Sequence, residues 1–382
     1  MNSTMETFDV AVVGLGALGS AAAYHAARKG ASVVAFEQFE LGHVRGASHD
    51  TSRIIRTSYG APEYVRLAQS AYRDWADFEA ESGERLVSIT GGVVFFPEGG
   101  PYSADAFVDA LTETDVPFEL LQPEQVAARW PQFSLPPGTQ TIYTPDSGIV
   151  HASRTVAALQ MHARLRGAVL RDRTEVLAIE PTGGGVIVRT AGEPVLARKV
   201  IIAADAWTNT LLEPLGAGIP LVTMQEQVTY FKPEDAEVYD RERFPVWIWE
   251  DHSCFYGFPT YGEPTIKAAR DLSENVMSPA ERSFVPSETL LEELSGFMSA
   301  VIPDKGEVLR TVTCQYAITP DRRFIISPLE RHPDVIVALG AGHAFKFTPA
   351  IGRVLAELAI DGESSDDLSA FGVRARDAVP MP

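Results

Sequence analysis

Cysteine is scarce: Cys254 and Cys314 are the only two in 382 residues. Two thiols do not make a disulfide framework, and a reducing cytoplasm fits. No window reaches the roughly 18 apolar residues of a membrane span. Met1 to Thr7 holds no Lys or Arg and no apolar run, so no secretory signal is expected. Positive charge is also short. Lys and Arg number 32 against 51 Asp and Glu, a net charge of −19 that would repel nucleic acid and anionic membranes. A basic active site must therefore be a local exception. Internal repeats, low-complexity segments and clustered His/Cys metal spacings are missing as well. What is present is 45% hydrophobic residues, ample for one or two cores, in a chain longer than one average domain.

One stretch organises the rest. Phe8 to Val13 is short and mostly apolar, long enough for a buried parallel strand. Gly14, Gly16 and Gly19 follow as G-x-G-x-x-G where strand must turn into helix. Gly14 allows the tight turn, Gly16 lets backbone approach a pyrophosphate, and Gly19 lets helix and strand pack closely. Ala17 to Lys29 is Ala-rich without Pro and reads as the helix whose first amides hold phosphate. Gly30 ends it, Ser32 to Phe36 is the second strand, and Glu37 stands 18 residues after Gly19, placed to accept from a ribose diol. Glycine triplets also arise by chance in loops. Here strand, glycines, helix, strand and acid occur in order, which predicts a nucleotide site. The acid suits NAD or FAD and disfavours NADP, whose 2′-phosphate it would repel.

Further along, Arg53-Ile-Ile-Arg56 puts two arginines where they can share one face of a helical turn, partly buried beside Ile54 and Ile55. Helical periodicity runs over 62–81, and further helices are expected over 104–114, 151–167, 287–298 and 349–360. The Pro- and Gly-rich run 130–148 reads as a return crossing. Strands are expected over 90–97, 175–179, 186–190, 195–203, 221–231, 246–259 and 335–340, those at 195–203 and 335–340 as buried parallel strands. Nucleotide-domain and sheet textures alternate. The reading is an α/β chain, α+β overall, with a Rossmann-type domain (1–85, 148–220, 320–382) and a mainly antiparallel-sheet substrate domain (86–147, 221–319).

Val13-Gly-Leu-Gly-Ala-Leu-Gly19, Arg53-Ile-Ile-Arg56, Tyr256-Gly-Phe-Pro259 with Lys267, Cys314-Gln-Tyr316 and Gly342-His-Ala-Phe-Lys346-Phe occur in that order over nearly the whole chain. Together they resemble the monomeric sarcosine oxidases, the N-methyl amino acid oxidase group of flavin-dependent amine oxidases. The resemblance implies FAD linked through Cys314, which composition alone would make a buried filler. It implies cofactor contacts from Gly14, Gly16, Gly19, Glu37, Ser52, Arg53, Gly342, His343 and Lys346. Arg56, as a two-point donor, and Lys346 would anchor a substrate carboxylate. Arg53 would favour the anionic reduced ring, Lys267 would promote O₂ reduction, and Tyr256 and Tyr316 would line the pocket. His49 and His343 are lesser matches.

The chain departs from the family in three places. Asp271 replaces a histidine, the loop before Gly342 is one residue shorter, and Asp205 replaces a strand-end glycine. Asp271 has two readings: a surface ion pair with Arg270, or a cavity-facing anion that binds a second cationic group. The resemblance implies a cytoplasmic monomer acting on a small amino acid or amine, with O₂ as acceptor. An FAD dehydrogenase with another acceptor, an NAD-dependent dehydrogenase and a non-catalytic flavin-binding protein are the rivals.

Overall fold

In the computed structural model, which describes residues 5–373, two eight-stranded sheets and a three-stranded one carry the chain. Residues 1–4 and 374–382, the outer ends of the expected Rossmann-type segments, lie outside the described residues.

The first sheet grows from strand Glu6–Val13, whose last four residues are buried. It pairs in parallel with Val33–Phe36 on one side and Val195–Ile202 on the other. Burial on both faces explains why these strands read as continuous apolar runs. Val195–Ile202 divides its far edge between two partners. Val195 to Ala197 meets the hairpin strand Gly185–Thr190 antiparallel, while Val200 to Ile202 meets Val335–Leu339 in parallel. Helix Ala17–Arg28 packs against Ala152–Leu165 and Thr348–Ile360. The last contact is close: a Cβ on Gly352 would lie 2.3 Å from that of Ala21.

The second sheet runs Glu307–Ile318, Val222–Lys232, Ile266–Asp271, Cys254–Phe258, Val246–Trp249, Gly92–Phe96, Gln140–Thr144, Glu119–Leu121. Its pairings are antiparallel except Val246–Trp249 beside Gly92–Phe96. Ser52–Ile55, Gly148–His151 and Val87–Ile89 form the small sheet. No helix among the described residues is long and apolar enough to cross a membrane.

The helices expected from periodicity form as Pro62–Ser82, Asp105–Glu113, Ala152–Leu165, Glu288–Val301 and Thr348–Ile360. Three expectations are corrected. The strand expected over 246–259 is a hairpin of Val246–Trp249 and Cys254–Phe258, because the polar run Glu250, Asp251, His252 and Ser253 turns the chain. Arg53 to Arg56 is no helical turn: Ser52–Ile55 is a strand zipped to Gly148–His151, as two consecutive β-branched residues favour. The 130–148 crossing is not merely a linker. It contains the strand Gln140–Thr144, with Thr141, Ile142 and Thr144 buried, which the preceding Pro136, Pro137 and Gly138 disguise in the sequence.

Candidate active site

The ends of the parallel strands open into one cavity of about 900 Å³. Its wall begins at Val13, Gly14 and Gly16, passes Glu37 and Arg53, and ends among Tyr256, Tyr316 and Lys346.

The glycines answer to contacts. Gly14 has φ +93°, and a Cβ there would sit 2.5 Å from the Ala203 carbonyl oxygen. A Cβ on Gly19 would fall 1.8 Å from the Gly14 carbonyl oxygen, so only glycine lets helix Ala17–Arg28 approach the turn. Glu37 is buried and already engaged. Its carboxylate accepts from the amides of Leu15 (2.9 Å) and Phe39 (3.1 Å) and faces His43 Nε2 at 3.3 Å. Burial pushes its pKa up, but the hydrogen bonds from His43 and these amides outweigh it and hold it below the usual range. Ser48, which sequence reasoning passed over, accepts from the Ala17 amide at 3.0 Å. Asp205 keeps φ +47°, and its Oδ2 is buried without a partner among the described residues. Burial raises that carboxyl to about 7.

At the other end, Arg56 and Lys346 converge on one ring. The Arg56 guanidinium lies 4.4 Å and Lys346 Nζ 5.7 Å from the Tyr59 ring centre. Arg56 donates to the Ser58 carbonyl (2.6 Å) and Lys346 to the His343 carbonyl (2.8 Å). Among the described residues neither has a carboxylate within ion-pair distance. Burial first, then Arg56, pushes Lys346 well below the usual lysine range. Two basic side chains with no carboxylate at ion-pair distance leave room for an anion between them.

Tyr256 and Tyr316 place their hydroxyls 3.5 Å apart, both raised in pKa by burial. Gly342, at φ +82°, presses against Tyr316, where a Cβ would meet the ring at 2.9 Å. His343 lines the cavity, its Nε2 3.0 Å from the Arg322 carbonyl, and burial lowers it well below the usual histidine range. His49 also lines the cavity, near Arg53.

Asp271 lies on the cavity wall, and its partner is Arg322 at 3.0 Å. The expected pairing with Arg270 is corrected: Arg270 turns to Glu293 (2.8 Å) and Glu274 (3.9 Å). Alternate residues of a strand face opposite ways, so neighbours 270 and 271 cannot share a face.

Some expected residues sit behind the wall. Gly19, Ser52, Lys267 and Cys314 do not line the cavity, although Arg53, which does, bonds to the Ser52 carbonyl. Cys314 is buried, and burial pushes its thiol up to about 12 despite Arg53. Sequence reasoning missed Asp50, Tyr59, Glu250 and Arg322. Glu250 left a signal, a lone acid closing the aromatic run Trp247-Ile-Trp249. Arg322 left none, because its partner is 51 residues away.

The residues present fit a flavin dinucleotide: a glycine cradle that a Cβ would fill, a carboxylate at the second strand, and a continuous cavity onward to a cationic pocket. Comparison with known proteins agrees. The family model "FAD dependent oxidoreductase" (DAO) matches residues 9–358. The monomeric sarcosine oxidase of Streptomyces avermitilis is 34% identical over 386 residues, covering 98% of this chain and 99% of that one. The N-methyl-L-tryptophan oxidase of Yersinia pestis (strain Pestoides F) is 31% identical, covering 96% and 98%. The open form of NikD, an unusual amino acid oxidase essential for nikkomycin biosynthesis, superposes with a TM-score of 0.84 at 26% identity, covering 96% and 97%. Glycine cradle, cavity and full-length similarity agree, and the chain belongs to the DAO family of FAD-dependent oxidoreductases, as an amine oxidoreductase of the sarcosine oxidase type.

Proposed function

We propose that the chain is an oxidase of a secondary amine that carries a carboxylate, an N-methyl or cyclic amino acid. The observation that supports this is the pair of unmatched cations, Arg56 and Lys346, over the Tyr59 ring. A carboxylate arriving there meets Arg56 and favours the charged form of Lys346, since the anion offsets the burial that works against it. Capture at two points fixes the amine's orientation, and the Tyr256 and Tyr316 phenols bound the space around it.

FAD, when bound, supplies the two-electron chemistry. The substrate loses two electrons and two protons from its C–H and N–H, leaving an imine that water hydrolyses. O₂ takes up the same electrons and protons as H₂O₂. Gly14, Gly16 and Glu37 would hold the nucleotide end, and Arg53 on the cavity wall with Lys267 behind it would supply positive charge towards the ring. Covalent attachment through Cys314, O₂ as acceptor, a cytoplasmic monomer and the division into two discontinuous domains belong to the same proposal.

Arg56→Ala should weaken a carboxylate inhibitor by roughly tenfold or more, because truncating one partner of a desolvated ion pair costs on the order of 2–5 kcal/mol. Flavin absorbance titration reads the affinity, and an amine panel scored for peroxide reads the reaction. Unchanged inhibitor affinity removes the anchor. Flavin reduction without peroxide makes the protein a dehydrogenase.

A further inference from the structure

Two cations, Arg53 on the cavity wall and Lys267 behind it, share one acceptor. The Ser52 carbonyl oxygen accepts from Lys267 Nζ at 2.9 Å and from Arg53 Nη1 at 2.9 Å. Among the described residues a single carboxylate matches this pair. Asp50 Oδ2 accepts from Lys267 at 3.0 Å, while its Oδ1 accepts from the Tyr230 hydroxyl at 2.6 Å. The Lys267 and Asp50 side chains are 3% and 12% exposed. Asp50 holds this place at φ +78°, a left-handed conformation that strains any residue with a Cβ and that Asp and Asn tolerate best. Strain kept at a buried ion pair beside a cofactor cavity points to a use for that pair.

The forces on Lys267 oppose each other. Burial drives its proton off most strongly and Arg53 adds to this; Asp50 acts to keep it, and Cys314 assists slightly. The Phe258 and Tyr230 rings lie 4.4 Å and 5.7 Å from Nζ, and His151 is within reach of the Lys267 charge. The balance leaves the ammonium at about 8.

We propose that Asp50 is a positioning residue for Lys267: clamped by Tyr230, it keeps a buried ammonium in place beside Arg53, so that two cations rather than one stand at the cofactor cavity. This rests on the reading of Lys267 as the cation that assists O₂ reduction. Without Asp50, Lys267 would lose its proton near neutrality and Arg53 would stand alone.

Six lysines in the chain make a direct measurement practical. With ¹³Cε-labelled lysine, the Lys267 signal is assigned by its loss in Lys267→Met and then titrated. Asp50→Asn keeps a side chain that tolerates the backbone and removes only the charge. Its Lys267 midpoint should fall by about one to three pH units. Reoxidation of the reduced enzyme by O₂ should slow roughly tenfold at pH 7.5 and recover as pH falls through the new midpoint. Tyr230→Phe, which loosens the clamp, should shift the midpoint the same way by less, and serves if the Asn variant does not fold. A wild-type midpoint in both variants overturns the proposal, as does slowing with no recovery at lower pH. Unaltered reoxidation in Lys267→Met would instead overturn the reading of Lys267, and the titration would still decide the role of Asp50.

Discussion

Replacing Asp271 by Asn tests how charge is balanced in the substrate cavity. Asp271 and Arg322 meet at 3.0 Å with side chains 24% and 18% exposed. Arg322 has an unpartnered buried Nε, and the carboxylate is what raises its pKa against burial. Breaking a fully buried pair costs about 3–5 kcal/mol. A fifth of each side chain in solvent, and an Asn oxygen that can still accept, reduce this to about 1–2 kcal/mol. With about 2.1 cal/mol/K per residue, roughly 0.8 kcal/mol/K for this chain, Tm should fall by about 1–3 °C. The functional effect has the opposite sign. Arg322 becomes a third unmatched cation near Arg56 and Lys346. At an effective dielectric constant near 20, one extra charge several ångströms away should strengthen carboxylate binding by about 1–2 kcal/mol, or roughly 5- to 30-fold. Flavin titration with a monocarboxylate inhibitor and a thermal melt read the two effects. Unchanged or weaker binding in a folded variant would refute the reasoning. In that case Asp271 does not set the charge of the cavity.

Two other outcomes are expected. Cys314→Ser should release all flavin into the supernatant on acid precipitation, while the native protein pellet stays yellow; a yellow variant pellet would place the link elsewhere. His25, on helix Ala17–Arg28, is buried with an unpartnered Nε2, and burial lowers its pKa to about 3. Because the folded value lies below the unfolded 6.5, the unfolded chain alone takes the proton as pH falls from 6.5 towards 3, and stability declines across that window. The loss by pH 5 is about 2 kcal/mol, so His25→Leu should shrink the drop in Tm between pH 7 and 5 by about 2–3 °C. An equal drop in both proteins would show that His25 is not responsible.

The nucleotide half was the easier to read, because its signals are local. Gly14, Gly16, Gly19 and Glu37 fall within 24 consecutive residues, and Gly14 and Gly19 each answer to a backbone clash visible in the fold. The long helix and the buried parallel strands likewise advertise themselves by periodicity and by continuous apolar runs. The chemistry-bearing end was readable only through whole-family likeness, because its contacts join distant positions. Tyr59 lies under Lys346, Arg322 reaches Asp271, and Asp50 meets both Lys267 and Tyr230. Nothing near Asp50 says that it faces a lysine 217 residues away. Arg53 to Arg56 shows the opposite failure: two arginines three apart suit a helix, but pairing with Gly148–His151 overrides that spacing.

The divided edge of strand Val195–Ile202 bears on how the protein is made. Its second partner, Val335–Leu339, and helix Thr348–Ile360, which seats Gly352 against Ala21, come from the last described part of the chain. During synthesis the dinucleotide turn therefore emerges more than 300 residues before the helix that covers its own helix. Until then Ala152–Leu165 can cover one side of Ala17–Arg28, but the side that Thr348–Ile360 seals, at Ala21, stays open. A stalled or shortened chain ending before residue 348 should behave as a client for chaperones and proteases rather than as a smaller nucleotide-binding protein.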